Sequence, residues 1–92
     1  MKASEAGQWV VKFPMPSLLI KWVWHDGVTP KTTKGDNAEF HSVQIEFEEQ
    51  DPKQKYRVAT ETYWSENRKD VATLEDAKAL GEKWLDRNVV VE

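Results

Sequence analysis

The sequence predicts an α+β domain in which a mainly antiparallel sheet of about four strands, within a range of about three to five, carries one C-terminal amphipathic helix on one face. Three observations support this fold class. Apolar and polar residues alternate in several short segments, turn-forming residues separate those segments, and a helical repeat occurs only near the C-terminus. The chain of 92 residues is predicted to form a single domain over residues 1–92 with one modest core.

Two strands are predicted in the N-terminal third, after a flexible tail over residues 1–7. Trp9, Val11 and Phe13 alternate with other residues and mark the first strand, which the prolines of the 14–17 segment end. The second strand covers about residues 18–25 and is apolar on both faces. Its predicted core face carries Leu18, Ile20, Trp22 and Trp24, and its other face carries Leu19, Lys21, Val23 and His25.

A long polar loop is predicted over residues 26–41. Asp26 and Gly27 form a tight-turn signal, and the residues that follow are rich in turn formers. A loop of this length in so small a domain is either functional or disordered.

Two further strands follow the loop. Residues 42–48 alternate almost perfectly, with Val43, Ile45 and Phe47 on one face, as expected for a half-buried antiparallel strand. A turn around Pro52 leads into a strand over residues 55–64, and a charged loop is predicted from Ser65 to Asp70.

The helix is predicted over residues 73–88. Thr73 is a suitable N-cap, with Asp76 three residues later, and apolar residues recur at helical spacing as far as Leu85. Gly81 lies on the apolar stripe, which indicates a close approach to the sheet, and Trp22 is the ring expected beneath it. Residues 89–91 are expected to add a short last strand or simply to pack.

One helix is expected to leave part of the sheet uncovered. A helix is about 10 Å wide and strands lie about 4.8 Å apart, so one helix covers two to three strands. The predicted core face carries large side chains on four strands: Trp9, Phe13, Ile20, Trp22, Trp24, Ile45, Phe47, Tyr56 and Trp64. Trp24, together with Leu19 and Val23 on the other face, then needs a cover: the protein's own loop, tail or last strand, a second copy, or another protein.

No arrangement of catalytic or metal-binding residues stands out. The chain has no cysteine, and His25 and His41 lack the spacing of a zinc pair. Glu46 and Glu61 share a face with Arg57, which favours a charge-balanced surface over a glycosidase pair. The segment 31–35 lacks phosphate-loop spacing. We expect no enzyme activity, no cofactor and no metal.

The charge and the N-terminus restrict the partners. A net charge of −3 argues against a general nucleic-acid binder, although exposed aromatic rings leave weak single-strand binding as an alternative. The first seven residues lack the apolar segment of a signal peptide, and no apolar stretch is long enough to span a bilayer. We expect a cytoplasmic protein without a membrane partner.

The layout resembles that of small phage and prophage accessory proteins, including anti-CRISPR and other host-takeover inhibitors. The resemblance covers most of the chain and consists of short tryptophan-rich strands, an Asp26-Gly27 turn, and a final amphipathic helix opened by residues 73–77. It implies a protein that binds and blocks a host protein. It assigns a role to no individual residue.

The sequence therefore predicts a non-catalytic protein-binding module, with a homodimeric scaffold and a weak single-stranded nucleic-acid binder as alternatives. Exposed aromatic residues with a polar rim are common anchors of interfaces. The predicted partner-binding residues are Leu19, Val23, Trp24, His25, Lys31, Lys34, Tyr63 and Trp64.

Overall fold

A computed structural model describes residues 1–92 and confirms the α+β fold class. The chain begins with a short 3₁₀ helix, Ala3–Glu5. The strands and the α-helix follow in the order β1 Gly7–Phe13, β2 Leu18–Trp24, β3 Lys31–Thr32, β4 Ser42–Phe47, β5 Tyr56–Glu61, β6 Glu66–Val71, α1 Leu74–Asn88 and β7 Val89–Val90.

Five of the strands form one antiparallel sheet in the order β1-β2-β4-β5-β6. Hairpins join β1 to β2, β4 to β5 and β5 to β6, and the long segment between β2 and β4 contributes β3. The remaining strands, β3 and β7, pair with each other through Lys31 opposite Val90 and Thr32 opposite Val89. This second small sheet fastens the middle of the chain to its C-terminus.

The helix lies across one half of the sheet. It packs on β4, β5 and β6 and on the 3₁₀ helix, and Ala77, Gly81 and Leu85 are its buried residues. The Thr73 hydroxyl accepts a hydrogen bond from the Asp76 backbone N–H at 3.1 Å, so the predicted N-cap is confirmed. We call the sheet side beneath α1 the helix face and the opposite side the open face.

Three tryptophans extend the core beyond the helix. Trp22 packs edge-on against Trp9, with ring centroids 5.2 Å apart, and against Trp24, at 5.9 Å. All three rings belong to the helix face of β1 and β2, where they join the buried cluster around Ile20 and Ile45. The large rings therefore cover the strands that the helix does not reach.

Gly81 marks the closest approach of helix and sheet, but the ring beneath it differs from the prediction. A Cβ atom at Gly81 would lie 2.7 Å from Cη2 of Trp9 and 2.9 Å from Cγ1 of Val43. Trp22 instead packs beside Gly7, where a Cβ would lie 2.8 Å from its indole ring. The prediction of Trp22 beneath Gly81 is wrong, because the long Trp9 side chain reaches from the edge strand β1 to Gly81 and occupies that place.

A β-bulge turns Phe13 away from the core. Val11 lies opposite Ile20, but Phe13 lies opposite Leu19, so Lys12 is an extra residue in β1. Phe13 consequently shares the open face with Leu19 and is 62% exposed. The alternation of the sequence placed Phe13 in the core, and one inserted residue reverses that placement.

The N-terminal tail and the long polar loop both pack on the domain. Ala3 and Ala6 are buried, and the Ser4 backbone N–H and hydroxyl each donate to the Asp86 carboxylate at 2.8 Å. Within the 26–41 segment, Pro30 and Ala38 are buried. The tail was predicted to be flexible. It packs on the helix instead, because Ser4 bonds to Asp86, a partner 82 positions away in the sequence.

The predicted charged loop at residues 65–70 is instead the edge strand β6. Every residue from Glu66 to Asp70 is exposed, so no alternation of apolar residues signals this strand. Charged side chains on an edge strand discourage pairing with other chains.

The only α-helix is too short and too polar to cross a bilayer.

Candidate functional site

The most exposed aromatic surface lies at the tip of the β5–β6 hairpin. Trp64 is 92% exposed, and Tyr63 and Phe40 are each 63% exposed. The Tyr63 ring centroid lies 5.2 Å from that of Phe40 and 5.7 Å from that of Trp64. We call these three residues the end patch.

The Thr62 side chain fixes the turn that presents two of these rings. Its hydroxyl oxygen accepts hydrogen bonds from the backbone N–H groups of Trp64, at 3.3 Å, and Ser65, at 3.1 Å. The Thr62 backbone N–H donates to the Ser65 carbonyl at 2.8 Å. A threonine hydroxyl that satisfies the turn in this way holds Tyr63 and Trp64 at the tip, directed away from the core.

A polar groove of about 540 Å³ adjoins the end patch. The β5–β6 turn forms one wall and the 32–37 loop forms the other. Its lining residues are Thr32, Thr33, Lys34, Asp36, Asn37, His41, Thr62, Tyr63, Trp64 and Asn88. We call this space the end groove.

The wall formed by the 32–37 loop is held by its own hydrogen bonds. The Thr32 hydroxyl accepts from the Asp36 backbone N–H at 3.1 Å, and the Thr32 backbone N–H donates to the Asp36 carbonyl at 2.7 Å. Gly35, between them, has a φ of +91°, which favours glycine. Because Thr32 also belongs to the β3–β7 pair, this wall is anchored to the C-terminal strand.

His41 links the end groove to the core. Its ring lines the groove, and its centroid lies 6.2 Å from that of Trp84 on the helix. The His41 Nδ1 atom is buried without a hydrogen-bond partner. Burial lowers the pKa of His41 below its usual value, since desolvation disfavours the charged imidazolium.

The residues predicted as a partner site fall on separate parts of the surface. Lys34, Tyr63 and Trp64 meet at the end groove, whereas Lys31 is half-buried in β3 outside it. Trp24 is half-buried against Trp22, so it is not the uncovered ring that the sequence indicated. The other predicted residues also lie on β2 or directly after it: Leu19 and Val23 on the open face, and His25 at the strand end.

Sequence reasoning missed Phe40 and His41 as parts of the site. Phe40 is a large aromatic residue in an otherwise polar segment, and that isolation was the available signal. Its contact with Tyr63 joins residues far apart in the chain, so only the fold brings them together. No group of three or more metal-ligating side chains is brought together anywhere in the structure.

No protein-family model, curated protein or solved structure matches this chain.

Proposed function

We propose that this protein is a non-catalytic protein-binding module that uses the end patch as its anchor. The observation that carries the proposal is the 92% exposure of Trp64 beside two other exposed rings. Tryptophan and tyrosine dominate the binding energy of protein interfaces when they enter a pocket of the partner. The end groove supplies the polar surroundings that such anchors commonly have.

The area of the Trp64 ring is large enough to matter. A tryptophan side chain that becomes buried removes roughly 200 Å² from water, which corresponds to roughly 5 kcal/mol before the costs of ordering are subtracted. Those costs are reduced here because the Thr62 hydroxyl already holds the turn. The end patch is therefore an anchor that needs little rearrangement.

The charges around the end patch favour a protein over single-stranded nucleic acid. Glu61 lines a shallow groove together with Phe40 and Tyr63, and Glu66 follows the turn at the start of β6. Lys34, which forms no ion pair, is the only cation in the end groove. The phosphates of a strand whose bases stacked on these rings would meet carboxylates, whereas a protein can offer Lys34 a single acceptor.

The test uses the wild type and two variants, first to capture a partner and then to measure its affinity with purified proteins. Trp64→Ser removes the anchor, and Phe13→Ser is the matched control because Phe13 is an equally apolar, exposed ring at the other end of the sheet. A protein captured by the wild type and by Phe13→Ser, but not by Trp64→Ser, is then purified. Calorimetry should show at least about 30-fold weaker binding to Trp64→Ser, the effect of losing about 2 kcal/mol.

Two results would overturn the proposal. One is a purified partner that binds Trp64→Ser as tightly as it binds the wild type. The other is a ligand that proves to be single-stranded nucleic acid, with an affinity that falls steeply as salt is raised. A protein partner that loses its activity on binding would extend the proposal to the inhibitor role that the layout resemblance implies.

A further inference from the structure

The open face of the sheet is divided into an apolar half and a charged half. The apolar half belongs to the β1–β2 hairpin. The strand register places Val10, Phe13, Leu19 and Val23 on it, with Gln8 and Lys21 as its polar members. The charged half belongs to β4, β5 and β6. On a five-stranded sheet this separation leaves one hairpin with an apolar surface of its own.

The charged half covers itself with its own side chains. Arg57 on β5 pairs with Asp70 on β6 at 3.4 Å, and Arg68 pairs with Glu66 along β6 itself. Ala59, between them, is only 7% exposed although no other element lies on this face. Long charged side chains shield small apolar residues in this way.

The apolar half has no such cover. The helix and the 3₁₀ helix pack against each other on the helix face, and β7 contacts the helix. These elements therefore do not cover the open face. Phe13 remains 62% exposed and Val23 37% exposed. The β1 bulge increases the patch, because a regular strand would have turned Phe13 toward the helix face.

The shape beside Phe13 is self-complementary. A groove of about 640 Å³ lies beside Phe13 at the β1–β2 turn, and Met15, Leu19, Glu46 and Glu48 contribute to its walls. Phe13 thus projects from the rim of a groove that a second Phe13 can enter. When a projecting ring and a groove lie side by side on one chain, two copies related by a two-fold axis form the same contact twice.

The charges of the open face also suit a second copy. Within the strands of this face there are three basic residues, Lys21, Arg57 and Arg68, and four acidic residues, Glu46, Glu61, Glu66 and Asp70. A face so close to neutral does not repel its own copy, and it offers no strong field to attract a charged partner.

We infer that the apolar half of the open face binds a second copy of this chain in a weak two-fold dimer, with Phe13 of each copy in the partner's groove. Even the whole open face, five strands of six or seven residues, projects only roughly 500 Å², below the about 800 Å² per partner that stable complexes bury. The dimer is therefore expected to depend on concentration, with a Kd between about 10 µM and about 1 mM. The end patch lies at the opposite end of the sheet, so both partners can bind at once.

The test is sedimentation equilibrium of the full chain from about 5 µM to about 1 mM, a range that brackets the expected Kd. Phe13→Glu places a charge in the apolar half. Val11→Glu is the matched control, because Val11 is 55% exposed on the same edge strand but directed to the helix face. Circular dichroism and tryptophan fluorescence check that each variant keeps the native fold.

We expect the wild type to dimerise. The Kd of Phe13→Glu should be at least tenfold higher, and the Kd of Val11→Glu should lie within about twofold of the wild-type value. A wild type that stays monomeric at the highest concentration overturns it. Equal weakening by both variants also overturns it, since that result indicates pairing of β1 edges rather than contact of open faces. Dimerisation that Trp64→Ser abolishes assigns the contact to the end patch and overturns it as well.

Discussion

Two clusters of aromatic rings in this protein have similar geometry and opposite environments. Trp22 belongs to the buried core, and the half-buried rings of Trp9 and Trp24 meet it edge-on at centroid distances of 5.2 and 5.9 Å. The end-patch rings meet at 5.2 and 5.7 Å and are largely exposed. Contact between rings therefore does not distinguish a core from a binding surface. The position in the fold makes that distinction. The three tryptophans lie on the helix face of their strands, whereas the end-patch rings lie outside the strands.

The largest expected effect compares one tryptophan from each cluster. Trp22, which is 8% exposed, contacts both neighbouring rings, so Trp22→Ala should lower the free energy of unfolding by about 3–5 kcal/mol. Trp64→Ala should change it by less than about 0.5 kcal/mol, because that ring is in water. Urea unfolding followed by circular dichroism measures both values.

A similar loss of stability in the two variants would show that Trp64 supports the fold and would remove the contrast. Trp22→Phe refines the comparison. The Trp22 Nε1 atom is buried without a hydrogen-bond partner, so phenylalanine removes an unsatisfied donor while keeping most of the ring. Its cost should be clearly smaller than that of Trp22→Ala.

An intermediate effect is expected at Gly81, where the helix presses on the buried cluster. A Cβ there would overlap Cη2 of Trp9 at 2.7 Å, and overpacking costs about 1–3 kcal/mol. The gain in helix propensity from glycine to alanine offsets about 1 kcal/mol. Gly81→Ala should therefore lower stability by about 1 kcal/mol, the difference between these opposing terms.

The control for Gly81→Ala is Lys83→Ala on the exposed side of the same helix, which should leave the urea midpoint nearly unchanged. An increase in stability for Gly81→Ala would mean that the Trp9 ring moves aside without cost. The helix would then not depend on a fixed tryptophan cluster.

The smallest expected effect belongs to His41, which lies between the two regions. Its lowered pKa means that the folded state binds fewer protons than the unfolded state near and below pH 6.5. This contribution to stability is fully present above about pH 6.5 and is lost as the pH falls toward the pKa of the folded state. The wild type should lose stability between about pH 8 and about pH 5.5, and His41→Gln should lose less.

His25→Gln serves as the control, because His25 is exposed at the end of β2. Urea midpoints at the two ends of that pH range, measured for all three proteins, isolate the contribution of His41. A pH dependence that His25→Gln removes and His41→Gln preserves would contradict the assignment of His41 to the boundary of the core.

The elements that the sequence predicted well are those with local signals. The Thr73 cap and the apolar stripe locate the helix, and the alternation around Ile45 locates β4. The elements it missed depend on distant partners. The 3₁₀ helix is held by Ser4 on Asp86, which are separated by 82 positions, and β6 has no apolar face to reveal it.

The candidate site follows the same division. Tyr63 and Trp64 were predicted as uncovered aromatic residues at the end of a strand, and the structure places them in the turn after β5, beside the end groove. Trp24 was expected to be uncovered, but its neighbour on the same strand packs against it. Phe40 was missed because its contact with Tyr63 exists only in the folded chain.

The amino-acid sequence by itself determined the fold class, the helix with its cap, and the excess of aromatic residues over what one helix can cover. These properties follow from periodicity and local hydrogen bonding, which neighbouring residues settle among themselves. Tertiary structure alone decided where the excess goes. Strand order places Trp9, Trp22 and Trp24 against the core, whereas the bulge at Lys12 exposes Phe13 and the turn closed by Thr62 exposes Tyr63 and Trp64. Pairing register selects the face on which each strand side chain lies.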